Sequence, residues 1–65
     1  MGFNKKNVGY EHMLMMTRNR LIHIQTMMHV SQSQGDGKAL GRFTDEAMQY
    51  EDIIAYIEQK MDSNS

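Results

Sequence analysis

The chain has 65 residues, a formal charge of -1, and no cysteine, proline or tryptophan. A chain of this size buries only ~60% of the surface its unfolded form exposes, so it holds one domain at most and its core needs a supplement. With no cysteine that supplement cannot be a disulfide, a zinc finger or an iron–sulfur site, and oligomerisation is the expected one.

Residues 1–9 read as a flexible polar arm and helix start, with Lys5 and Lys6 in the arm, Asn7 as N-cap and Gly9 weakening the first turn. From Tyr10 the pattern is helical. Leu14, Leu21 and Met28 recur every seven residues, and Tyr10, Thr17, Ile24 and Ser31 form the companion row of an apolar seam. No glycine or proline interrupts residues 10–34, which predicts a first helix of about 25 residues, roughly 37 Å long. Gly35, Asp36, Gly37 and Gly41 mark residues 35–43 as a glycine-rich loop. Gly35 serves there as a left-handed helix cap, and Ala39 and Leu40 tuck onto the bundle end.

A second helix is expected over 44–62. Thr44 is its N-cap, Asp45 and Glu46 meet the positive end of the helix dipole, and Phe43 packs on Met48 as a hydrophobic staple. Its apolar stripe is Ala47, Tyr50, Ile54, Ile57 and Met61, widened by Ile53 and Tyr56, and residues 63–65 form a polar tail. The expected fold is therefore all-α: an antiparallel hairpin of two unequal helices in a single domain spanning 1–65.

Apolar residues on the first helix spread over more than half of its circumference. Met15, Met16, Ile22 and Val30 lie away from the seam, where a shorter second helix cannot cover them. Exposed apolar surface of that extent usually marks a contact region, so the hairpin is expected to assemble as a homodimeric four-helix bundle. The expected interface comprises Met13, Leu14, Met15, Met16, Leu21, Ile22, Ile24, Met27, Met28 and Val30 of the first helix with Tyr50, Ile54 and Ile57 of the second. Eight methionines suit it, because unbranched thioethers fill irregular gaps and adapt to a partner's shape.

The small net charge hides an asymmetry. Up to Arg42, Lys5, Lys6, Arg18, Arg20, Lys38 and Arg42 outnumber Glu11 and Asp36; beyond it Asp45, Glu46, Glu51, Asp52, Glu58 and Asp62 face only Lys60. The two halves are expected to complement each other. The alternative is a polyanion contact through Arg18, Arg20, Lys38 and Arg42 in a dimeric nucleic-acid-binding regulator. Against it, Arg18 and Arg20 point about 200° apart on one helix, and the isoelectric point of about 6.2 is not that of a basic binding domain.

Catalytic and cofactor chemistry finds no footing, and neither enzyme activity, a metal nor a cofactor is expected. His12, His23 and His29 are eleven and six residues apart, not the four that place two imidazoles on one helical face. Helical nucleotide pyrophosphohydrolases bind magnesium through Glu-x-x-Glu pairs on facing helices, whereas Glu51 and Asp52 are adjacent here and Glu11 is the first helix's only acid. Gly35-Asp36-Gly37-Lys38 lacks the spacing and the Ser or Thr of a phosphate-binding loop. The Ser-Gln-x-Leu-Asp signature of small hairpin phosphatases is also missing, since Ser31-Gln32 continues into Ser33-Gln34-Gly35. No apolar run approaches the ~20 residues of a membrane span, nor is there a signal-peptide pattern, so a soluble cytoplasmic protein is expected.

The expected function is a small non-enzymatic protein-interaction module, a regulator, inhibitor or adaptor of a design common among short bacterial and phage proteins. Its partners would be itself and another protein. Beside the nucleic-acid reading stands a third, a small-ligand sensor whose pocket forms between protomers, with Arg20 or His23 as the polar contact.

Overall fold

A computed structural model describes residues 7–64, and both elements in it are helices: α1 (Val8–Gln34) and α2 (Gly37–Asn64). They pack against each other as a hairpin with extents of 45 × 17 × 13 Å. The expected arm over residues 1–6 and Ser65 of the expected tail lie outside the described residues.

α1 begins two residues before Tyr10. Asn7 stands at its N-cap position, yet its side chain makes no capping bond, and its buried Oδ1 finds no partner among the described residues. At the other end Gly35 takes φ 70°, the left-handed conformation that glycine adopts at little cost. The Gly35 N–H donates to the Gln32 carbonyl at 3.1 Å and the Asp36 N–H to the Ser31 carbonyl at 2.9 Å. This pair of bonds is the Schellman arrangement, and it satisfies carbonyls that a helix end leaves bare.

The connection is two residues long, which corrects the expected loop over 35–43. Asp36 caps α2: its Oδ1 accepts the Ala39 N–H at 3.1 Å, and its carbonyl accepts the Leu40 N–H at 3.0 Å. Gly37 and Gly41 are helical. Thr44 is consequently not an N-cap but lies two turns inside α2, where its hydroxyl donates to the Leu40 carbonyl at 2.7 Å. The staple of Phe43 on Met48 does not form either, because Phe43 is half-buried in the seam and Met48 is exposed. At the C-terminal end, Ser63 bonds back to the Gln59 carbonyl, so residues expected as tail continue the helix.

The helices are thus nearly equal, 27 and 28 residues, rather than unequal. The packed rows of α1 are those read from spacing: Leu14, Ile24 and Ser31 are buried, and Tyr10, Thr17, Leu21 and Met28 half-buried. In α2 the rows Leu40–Ala47–Ile54–Met61 and Phe43–Tyr50–Ile57 face them, so the seam runs two turns further toward the connection than the stripe predicts. Ile57 is the most enclosed of the described side chains, 1% exposed. No described helix is long and apolar enough to cross a membrane.

Candidate interaction surface

A two-helix layer has two broad faces, and side-chain contacts identify which rows flank each. Residues seven apart share a row along a helix packed in this way. On one flank of the α1 seam runs Glu11–Arg18–Gln25, followed further out by Met15–Ile22–His29. The Arg18 guanidinium donates to the Glu58 carboxylate at 2.8 Å, so this flank adjoins the Glu51–Glu58 row of α2. Leu14, Arg18, Glu58, Met61 and Asp62 line one shallow depression there, and Glu11, Met15, Asn19 and Ile22 help line another. These residues make up the Arg18 face.

On the opposite flank runs Met13–Arg20–Met27, then Met16–His23–Val30. Arg20 Nε donates to the Tyr50 hydroxyl at 3.3 Å. That bond, then the charges of Tyr50 and of Glu46, holds the guanidinium pKa above its ordinary value. The Glu46–Ile53–Lys60 row of α2 therefore belongs to this side. Lys60 Nζ lies 5.3 Å from the centre of the Tyr56 ring, which brings Tyr56 next to that row. These residues make up the Arg20 face.

The residues expected at an interface divide into two sets. Leu14, Ile24 and Ile57 are buried, and Leu21, Met27, Met28, Tyr50 and Ile54 half-buried, so most of their apolar surface is used inside the hairpin itself. Met13, Met15, Met16, Ile22 and Val30 are exposed, Met16 at 57% and Ile22 at 61%. They do not form one strip. Met15 and Ile22 lie on the Arg18 face, and Met13, Met16 and Val30 on the Arg20 face, with the polar row of His12, Asn19 and Thr26 between them along the back of α1. Their exposure follows from the circumference of α1 and not from a short partner, since α2 is as long as α1.

Met48, Ile53 and Tyr56 of α2 are also exposed, although two of them read from the sequence as widening the packed stripe. The signal was available: Ile53 lies one residue before the seam position Ile54, and Tyr56 one before Ile57, which is the outward side of both rows.

The four candidate anion contacts are not brought together. Arg18 is ion-paired on one face and Arg20 hydrogen-bonded on the other. Lys38 and Arg42 are exposed on the first two turns of α2. Membership of α2 also alters the charge division, because only Arg18, Arg20 and Glu11 remain as formal charges on α1. Among the described residues no group of three His, Asp or Glu side chains could hold a metal ion. Comparisons with protein-family models, with characterised proteins and with solved structures gave no match to this chain.

Proposed function

We propose that this chain is a non-enzymatic protein-interaction module, a helical hairpin that completes its apolar core against another protein chain. The simplest form is a homodimeric four-helix bundle. One observation carries the reading. Among the described residues nine large apolar side chains are exposed, whereas the buried apolar core consists of Leu14, Ile24, Ala39, Ala47 and Ile57, two of them alanines. Burial stabilises by about 25 cal/mol per Å² of apolar surface, and the hairpin leaves much of its largest apolar surface in water. A layer one helix thick has no second side against which to bury it.

The nucleic-acid reading draws less support, because the basic side chains are split between the two faces and one is already ion-paired. Sedimentation equilibrium across the micromolar range tests the proposal, combined with thermal unfolding at several concentrations. Association should give a mass above that of one chain and a Tm that rises with concentration. A fully folded monomer whose Tm is independent of concentration would overturn the reading.

A further inference from the structure

The two faces differ in what they could pack against. Among the described residues the Arg18 face carries Glu11, Glu51, Glu58 and Asp62 against Arg18, with Val8, Met15, Ile22 and Met48 as its exposed apolar residues. Two copies meeting through it would bring eight carboxylates together, and like charges juxtaposed across an interface cost several kcal/mol. On the Arg20 face Met13, Met16, Val30, Ile53 and Tyr56 are exposed, drawn from both helices, and Met27 is half-buried among them. Its central charges are of opposite sign, Arg20 on α1 and Glu46 on α2. Arg42 and Lys60 lie at its two ends, eighteen residues and so roughly 27 Å apart, clear of the central pair.

We infer, resting on the interaction-module reading, that the occupant of the Arg20 face is a second copy of this chain, related by a two-fold axis parallel to the helices. Such an axis lays each α1 over the partner's α2. Arg20 of one copy then meets Glu46 of the other, twice, while Met16 lies over Tyr56. The face runs the 45 Å length of the hairpin and is 17 Å wide, so both helices of each copy can take part in the contact. The Arg18 face stays in solvent.

Charge reversal with mixing tests this arrangement on the full chain. Arg20→Glu and Glu46→Arg should each weaken self-association about tenfold or more when studied alone, because each homodimer then holds two like-charged contacts. An equimolar mixture should recover wild-type affinity, since the mixed dimer restores both opposite-charge contacts. The cysteine-free sequence permits a second readout that does not depend on tolerance of buried charge. In Met16→Cys the thiol should react with a small maleimide about tenfold or more slowly at concentrations where the protein is dimeric than in dilute monomer. In Ile22→Cys the rate should not change.

If the wild type associates but the thiol at position 22 is the protected one, or mixing gives no recovery, the assigned face or register is wrong while the interaction-module reading stands. A mass that grows past the dimer with concentration would instead indicate Arg20 faces stacking on Arg18 faces, and would overturn the two-fold arrangement. A folded wild-type monomer overturns both proposals.

Discussion

Gly41 sits in the second turn of α2, inside a helix and not in a loop, and a Cβ built on it meets nothing within 4 Å. Alanine at that position should therefore stabilise the fold by about 1 kcal/mol, the helix-interior difference between the two residues, part of which comes from a less disordered unfolded chain. Gly35 gives the opposite sign. Space there is equally open, but its φ of 70° forces a side chain into the left-handed region, at a cost of about 1–2 kcal/mol. In a chain this short, 1 kcal/mol moves Tm by about 4–8 °C. Thermal unfolding followed by circular dichroism at one fixed protein concentration should thus show Gly41→Ala melting several degrees above wild type and Gly35→Ala several degrees below. A Gly41→Ala variant that melts at or below the wild-type temperature would mean that residues 37–43 are not helical in the folded protein, and the two-residue connection would be wrong.

Two further substitutions address the seam and the second cap. Ile57→Ala removes the most enclosed of the described side chains and should cost about 2–4 kcal/mol by urea denaturation, and a loss under about 1 kcal/mol would mean that the seam is not packed at that height. Asp36→Ala should lose about 1 kcal/mol through the missing bond to the Ala39 N–H, while Asp36→Asn retains most of it; equal losses for the two variants would refute capping by this side chain.

The seam was legible because burial imposes a period. Tyr10, Leu14, Thr17, Leu21, Ile24, Met28 and Ser31 stand at alternating intervals of four and three, and all seven are buried or half-buried in the structure. Gly35 was legible too, since a left-handed cap has few other candidates. The start of α2 was not, because two local signals compete there. Thr44-Asp45-Glu46 has the composition of a helix start, and three glycines within seven residues resemble a loop. What prevails is tertiary: Ala39 is buried, Leu40 and Phe43 are half-buried, and Asp36 supplies a cap. Those gains outweigh about 1 kcal/mol of helix preference for each helical glycine. The division of the exposed apolar residues between two faces was not legible either. Rows at equal angles on either side of α1 are equivalent until Arg18 and Arg20 show which flank of α2 each adjoins.

The short connection has a consequence for the order in which the fold forms. Contacts grow longer in sequence with distance from the turn: Asp36 to Ala39 spans three residues, Arg20 to Tyr50 thirty, and Arg18 to Glu58 forty. Each doubling of the closed segment adds about 0.6 kcal/mol of chain entropy, so pairs beside the connection close first and later ones build on them. Such a hairpin closes as a zipper, from a fixed end toward a free one. Its backbone amides should exchange with solvent on a gradient along the 45 Å axis, slowest toward the turn and fastest at the opposite end, in the first turn of α1 and the last turn of α2.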